Sequence, residues 1–220
     1  AQMLRGLLLY YAQQKPEDAI QALELAAKNP QEALRARPML ISIYIRQKKY
    51  DKAKAELDLL KAAYPGKGQT LYMEAVVAFV TEDYKRTNAL AEQLLRAAPN
   101  NTLFLILGGA SDLHLGKFIA AESKLGKVVQ TVRGAKEARK LLAETYSRMG
   151  QPEKALSVLR PMLEEGKPDA EVLALAGQAY LYLADAKQAQ EMLTAASTLK
   201  PEDLKLRTSL ALLEQIGRAS

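Results

Sequence analysis

Small, aromatic and long aliphatic residues recur along this chain at a fixed step of 34 residues. The clearest column holds five alanines and one threonine, at Ala19, Ala53, Thr87, Ala121, Ala155 and Ala189. Four places later runs an aliphatic column, at Leu23, Leu57, Ala91, Leu125, Leu159 and Leu193. Self-similarity at this period predicts a stack of helical hairpins, each of which buries its apolar face against the next.

Aromatic residues and prolines keep the same step. One column carries Tyr10, Tyr44, Tyr146 and Tyr180, and a second carries Tyr50, Tyr84 and Phe118. A small-residue column on the first helix of each hairpin holds Ala75, Gly109, Ala143, Gly177 and Ala211, and proline closes three units at Pro65, Pro99 and Pro201. We expect the small residues where two helices cross closely and the aromatic rings in the wedge beside that crossing.

These columns predict an all-α fold, a right-handed superhelical solenoid of about six helical hairpins followed by a C-terminal capping helix. The solenoid is predicted to be a single domain over residues 1–220. Its units are expected at residues 1–33, 34–67, 68–101, 102–135, 136–169 and 170–203. The amphipathic stretch 204–217, with Leu206, Leu210 and Leu213 at helical spacing, is expected to cover the exposed end of the last unit. No segment has the alternating pattern of a strand.

Composition narrows the classes of partner. The 220 residues include 31 Lys and Arg against 25 Asp and Glu, for a net charge of +6. The bases are dispersed among acids and never run longer than two, so nucleic acid is not expected as a partner. No stretch approaches the roughly 20 apolar residues of a membrane span. The chain lacks an initiator Met, which suggests a processed or trimmed chain from which any export signal or lipid anchor would be missing.

The sequence offers no candidate catalytic, cofactor-binding or metal-binding site. It contains no Cys and one histidine, His114, which cannot form a metal site alone. The pair Gly108–Gly109 is not a phosphate loop, since no strand precedes it and no Lys-Ser/Thr follows it. Adjacent acids such as Glu164 and Glu165 point in different directions on a helix. An enzyme is therefore not expected.

The informative surface is the groove that the first helices of the hairpins should line. Five places in each unit are predicted to face it, and in units five and six these are Glu137, Lys140, Glu144, Ser147, Arg148, Glu171, Ala174, Gln178, Leu181 and Tyr182. The candidate binding residues are Tyr72, Val76, Phe79, Ile106, Leu113, His114, Lys140, Arg148 and Tyr182. The middle of this predicted groove is apolar and its flanks are basic. This favours a binding site, because an exposed apolar patch usually marks one. The alternative is that tight coiling or a C-terminal element buries these side chains.

The 34-residue columns resemble the tetratricopeptide repeat family over nearly the whole chain. Residues 94–213 also resemble the repeat lipoproteins of exosortase (PEP-CTERM) systems in Gram-negative bacteria. That likeness lies in stretches such as LLRAAPNN, LILGGASDLHLGKFIAAESKL and LLAETYSRMGQPEKALSVLRPML. It implies an exported scaffold linked to exopolysaccharide production and surface-protein sorting. The places that would clamp a peptide carboxylate in the chaperone-tail binders of the repeat family hold Leu4, Pro38, Tyr72, Ile106 and Lys140, so that activity is not expected.

We therefore expect a non-enzymatic scaffold that binds a peptide or protein segment in its groove, without a cofactor. The alternatives are a structural spacer, which could associate with itself, and a carbohydrate-binding or regulatory subunit of a polysaccharide synthesis or secretion complex. The resemblance implies a periplasmic or envelope-associated location, with the cytoplasm as the alternative.

Overall fold

The computed structural model describes residues 2–219 and is helical throughout that range, with no strand among those residues. The first helix is α1 (Gln2–Leu7), which continues as a π-helical segment (Leu8–Ala12). The helices that follow are α2 (Pro16–Ala27), α3 (Pro30–Arg46), α4 (Tyr50–Ala63), α5 (Gly68–Val80), α6 (Tyr84–Ala97), α7 (Thr102–His114), α8 (Phe118–Thr131), α9 (Lys136–Arg148), α10 (Pro152–Glu164), α11 (Ala170–Tyr182), α12 (Ala186–Leu199) and α13 (Leu204–Ala219). The predicted all-α architecture of successive packed helix pairs is confirmed.

Two compact units divide the chain, Ala1–Leu107 and Gly108–Ser220, and the boundary falls within α7. In the first unit each helix packs on the next in sequence, and the first helices of consecutive hairpins also touch, α1 on α3 and α3 on α5. The second unit repeats this arrangement in α9 and α11. Within each unit, therefore, first helices lie side by side. The single domain over residues 1–220 remains a prediction.

The periodic columns form the cores of both units. All six residues of the alanine column, Thr87 included, are fully buried. Thr87 fits because its hydroxyl donates a 2.9 Å hydrogen bond to the carbonyl of Asp83, one turn earlier in the chain. Beside the column, the leucines meet the small residues of the facing helix, as Gly109 meets Leu125 and Gly177 meets Leu193.

The turn within each hairpin contains a left-handed residue, and these residues also recur every 34 places. They are Gln14, Lys48, Glu82, Gly116, Gly150 and Ala184, with φ between 52° and 73°. Left-handed backbone reverses the chain after the first helix and costs least for glycine. Four of the six positions nevertheless carry a side chain, so this regularity was not visible as a glycine column.

The π-helical segment explains a break in the sequence register. Tyr146 and Tyr180 each lie three residues after the small residue of the first helix, whereas Tyr10 lies four residues after Gly6. A π-helical turn accommodates one extra residue. Gly6 consequently occupies the close crossing with Leu23, although it stands outside the 34-residue column.

The last helix covers the end of the preceding hairpin. On α13, Leu206 and Leu213 are buried in a cluster with Leu173, Leu193 and Ala196, and Leu210 packs against it. This cluster joins α11, α12 and α13. The predicted stretch 204–217 is thus helical and packs on the sixth hairpin.

Candidate protein-binding surfaces

Three predicted groove residues come together on α5 in the first unit. Tyr72, Val76 and Phe79 follow one face of the helix and pack, half-buried, against a core cluster of Ala75, Leu90 and Leu107. The ring of Tyr72 lies 5.6 Å from that of Phe104, between centroids, and burial raises the pKa of the Tyr72 hydroxyl. Phe79 meets Tyr84 edge to face at 5.5 Å. The surface is aromatic, but it is also part of the core, which the sequence pattern did not reveal.

The predicted residues of α7 lie in different environments. Ile106 is half-buried in the first unit, and His114 is exposed at the end of the helix in the second. Leu113, predicted to line the groove floor, is only 1% exposed and belongs to the core. This prediction failed because α7 is apolar on nearly every face, so that its pattern does not distinguish a buried side from an exposed one.

Lys140 was predicted to present a basic charge at one end of the groove, but the structure surrounds it with acids. Its Nζ lies 2.6 Å from Glu171 and 3.1 Å from Glu137, and Asp169 approaches at 4.0 Å. The lysine side chain is 13% exposed. Partial burial acts to lower the pKa of Lys140, but the hydrogen bonds and charges of Glu171 and Glu137 raise it above its ordinary value. The charge therefore joins α9 to α11 and is not offered to a partner.

Arg148 and Tyr182, in contrast, line one cavity of about 390 Å³ in the second unit. Arg148 ends α9 and Tyr182 ends α11, and those two first helices lie side by side. The other lining residues are Glu144, Ser147, Leu175, Gln178 and Lys205. Five of the seven belong to the set predicted from the repeat pattern to face the groove. The guanidinium of Arg148 pairs with Glu144 at 2.8 Å, and Tyr182 is 69% exposed.

A second cavity, of about 450 Å³, was not predicted. It lies in the first unit between the π-helical segment and the end of α3, and its lining includes Tyr10, Tyr11, Arg46 and Gln47. The Tyr11 ring stands edge to face on Tyr10, at 5.1 Å, and the Arg46 guanidinium lies 5.9 Å from the Tyr10 ring centroid. The adjacent pair Tyr10 and Tyr11, at the first place of the tyrosine column, was the feature of the sequence that could have predicted this cavity.

Features of other functional classes are not found in the described part of the chain. Residues 2–219 contain no cluster of His, Cys, Asp and Glu side chains arranged to hold a metal ion. None of the described helices combines the length and the apolar character that crossing a bilayer requires.

Comparison with known proteins agrees with this architecture. Two tetratricopeptide repeat families match the second half of the chain, one over residues 112–179 and the other over residues 170–203. No curated protein sequence matches the chain. This part of the chain therefore contains tetratricopeptide repeats.

Solved structures extend the likeness to nearly all of the chain. The crystal structure of PilW, a widely conserved type IV pilus biogenesis factor, covers 95% of this chain and 96% of its own, with a TM-score of 0.81 and 20% identity. A tetratricopeptide repeat protein from Parabacteroides merdae covers 97% of both chains, with a TM-score of 0.63 and 16% identity. YrrB, a repeat protein with an unusual peptide-binding site, covers 86% of this chain and 98% of its own, with a TM-score of 0.62 and 22% identity.

The fold is consequently that of a tetratricopeptide repeat solenoid, an architecture generally used for non-catalytic protein–protein interaction.

Proposed function

We propose that this protein is a non-enzymatic scaffold that binds an extended peptide or protein segment along the first helices of its hairpins. The observation that carries the proposal is the cavity between α9 and α11. There an exposed aromatic ring, Tyr182, stands beside the guanidinium of Arg148, the hydroxyl of Ser147 and the amide of Gln178. Tyr and Arg are the residue types that most often dominate binding free energies, and the polar groups can pair with a peptide backbone.

Two further features support the proposal. The half-buried aromatic surface of Tyr72, Val76 and Phe79 provides an apolar contact area in the first unit. The fold shared with YrrB, a repeat protein with an unusual peptide-binding site, also supports the proposal. In our proposal the half-buried Ile106 adds a contact in the first unit, and the exposed His114 is a separate contact of the second unit.

Selection from a random peptide library displayed on phage would test this function. Peptides enriched on the intact protein should lose affinity about tenfold or more with Tyr182→Ala or Arg148→Ala, in line with the usual cost of truncating a hot-spot residue. Leu59→Ala is the control, because Leu59 is also a large exposed side chain, at 49%, but lies on α4, the second helix of its hairpin. Failure to enrich any peptide, or equal loss with all three variants, would overturn the proposal.

We further propose that the scaffold works in the periplasm or envelope of a Gram-negative bacterium, in exopolysaccharide production or protein sorting. The support is the resemblance of residues 94–213 to repeat lipoproteins of exosortase systems and the fold shared with PilW, a pilus biogenesis factor. Fractionation of cells that express the full-length natural gene product would test the location. Recovery in the cytosolic fraction would contradict it.

The second candidate is a structural spacer or regulatory subunit that associates with copies of itself or with a polysaccharide synthesis complex. It is favoured by an apolar face at the start of the first unit, where Leu4, Leu8 and Tyr11 are exposed on successive turns. Analytical ultracentrifugation would support this candidate if Leu4→Glu and Leu8→Glu dissociated an oligomer. A monomer at all concentrations would exclude self-association.

A further inference from the structure

Two hairpins place a carboxylate against the tyrosine of the next first helix. The hydroxyl of Tyr44 donates a 3.0 Å hydrogen bond to Glu24, and the hydroxyl of Tyr146 donates one of the same length to Glu122. Glu122 directly follows the buried Ala121, whereas Glu24 lies five residues after Ala19. Counted from the alanine column, the two glutamates therefore occupy places that are one helical turn apart on the same face of a hairpin's second helix.

Each of these tyrosines also has a lysine eight residues later in the chain. The Nζ of Lys52 lies 5.7 Å from the Tyr44 ring centroid, and that of Lys154 lies 5.3 Å from the Tyr146 ring centroid. The repeated unit is thus a carboxylate, a phenol and an ammonium. The carboxylate comes from the preceding hairpin.

The sixth hairpin keeps the tyrosine and loses the other two groups. Tyr180 occupies the tyrosine column, but the two places that hold glutamate elsewhere are Leu156 and Arg160, and the lysine place is Gln188. Among the described residues, neither the Tyr180 hydroxyl nor the Arg160 guanidinium has a hydrogen-bond or ion-pair partner. The place that holds the hydrogen-bond acceptor Glu24 in the first hairpin therefore holds a donor, Arg160, in the fifth.

A cavity of about 400 Å³ lies where the glutamate would be. Its walls are mainly apolar and are formed by Leu156, Leu163, Pro168, Leu173 and Met192, together with Tyr180, Arg160 and Glu164. Glu164 is one turn after Arg160 on α10, is exposed, and makes no ion pair with it in the described structure. The cavity thus combines two unused donors, Tyr180 and Arg160, and one carboxylate at its edge, Glu164, with an aliphatic lining.

We propose that this cavity is a binding site for an acidic side chain carried by an apolar segment of a partner protein. The partner's carboxylate accepts hydrogen bonds from Tyr180 and Arg160, as Glu122 accepts one from Tyr146 within the chain. A planar guanidinium suits a carboxylate and forms charge-assisted hydrogen bonds with it. The aliphatic walls require an apolar neighbour to exclude water, which a protein segment supplies and a free carboxylate ion does not.

This site lies on α10, α11 and α12 and is separate from the cavity of Arg148 and Tyr182. It goes beyond the proposed function, because it specifies the chemistry of a second contact. Failure of peptide selection at the Tyr182 site would leave it unaffected.

Titration of the ¹⁵N-labelled full-length chain with two blocked tripeptides would test the proposal. The acidic probe is acetyl-Leu-Glu-Leu-amide and the neutral control is acetyl-Leu-Gln-Leu-amide. The acidic probe should shift the amide resonances around Arg160 and Tyr180 saturably, with an affinity about tenfold higher than that of the control. Arg160→Gln should remove this preference, and Tyr180→Phe should weaken it.

Matched variants distinguish binding from a structural effect. Tyr146→Phe removes a hydroxyl that is already satisfied by Glu122 and should leave probe binding unchanged. Arg160→Glu restores a carboxylate within the chain and should prevent binding of the acidic probe. Equal affinity for both probes, a preference that survives Arg160→Gln, or equally tight binding of acetate alone would overturn the proposal.

Discussion

A Cβ atom added at Gly109 would lie 2.6 Å from Cγ of Leu125, which is fully buried in the crossing of α7 and α8. Gly109→Ala should therefore lower the free energy of unfolding by about 1–3 kcal/mol through overpacking. Gly126 is the matched control, because it lies in α8 and a Cβ added there would meet no neighbouring atom within 4 Å. Gly126→Ala should raise stability by about 0.5–1 kcal/mol. Equilibrium urea unfolding measures both, and equal midpoints would contradict the close crossing.

The contact of α13 with the sixth hairpin can be tested on one helix. Leu206 is 5% exposed and packs with Leu193, whereas Leu204 is 72% exposed. Leu206→Ala should cost about 2 kcal/mol or more, while Leu204→Ala should change stability by less than about 0.5 kcal/mol. Thermal melts report the difference. A similar effect of both changes would show that α13 does not cap the stack.

The hydrogen bond of Tyr44 predicts a loss of stability at high pH. Burial first, and then the hydrogen bond and charge of Glu24, raise the pKa of Tyr44 from 10.0 to about 12. Since the folded-state pKa is the higher one, the contribution is complete below pH 10 and is lost as the pH rises towards 12. Its size is up to about 2 kcal/mol.

Urea midpoints measured from pH 8 to pH 12 for the wild type and Tyr44→Phe would show this contribution as a difference in slope. The Tyr44→Phe protein should lack part of the decline above pH 10. Parallel curves would mean that Tyr44 ionises normally in the folded state.

The acidic surroundings of Lys140 predict a structural role for its charge. Lys140→Glu would place a fourth carboxylate beside Glu137, Asp169 and Glu171, and should destabilise the protein on the order of 1 kcal/mol. Lys136→Glu on the same helix breaks only an exposed pair with Glu165, 3.7 Å long, and should cost less than about 0.5 kcal/mol. The difference in stability between the two variants should become smaller near 1 M salt, where the Debye screening length falls to about 3 Å. If Lys140→Glu were neutral, the charge would be available to a partner after all.

The contrast between Lys140 and the alanine column shows what the sequence can predict. The alanine and leucine columns determine which faces of two helices meet, and such packing repeats every 34 residues. Lys140 carries no comparable signal, because its acceptor Glu171 is 31 residues away on α11 and the places equivalent to Lys140 in the two preceding units hold the uncharged Tyr72 and Ile106.

Two other differences have local causes. Gly6 was not recognised as a member of the small-residue column, because the π-helical segment adds one residue between Gly6 and Tyr10. Leu113 was misplaced because α7 has no polar face to set its orientation. Five of the residues that line the Arg148 and Tyr182 cavity were nevertheless predictable, since the faces of adjacent first helices do follow the period.

The half-buried aromatic surface of α5 is expected to contribute both to the stability of the fold and to partner binding. Replacing Tyr72 and Phe79 by Ala removes side chains that pack against Ala75, Leu90 and Leu107, so stability should fall by about 2–4 kcal/mol. If the same surface binds a partner, affinity for the selected peptides should also fall more than tenfold when measured well below the melting temperature.

Val77 on the same helix separates these two effects. It is 4% exposed and belongs to the core of the first unit. Val77→Ala should reduce stability by about 1–2 kcal/mol and leave peptide affinity unchanged, because only the buried side of α5 is altered. Isothermal titration calorimetry at one low temperature compares the three proteins in their folded state. Unchanged affinity in the Tyr72 and Phe79 double variant would mean that these rings serve the core alone, and binding would then depend on the cavity of Arg148 and Tyr182.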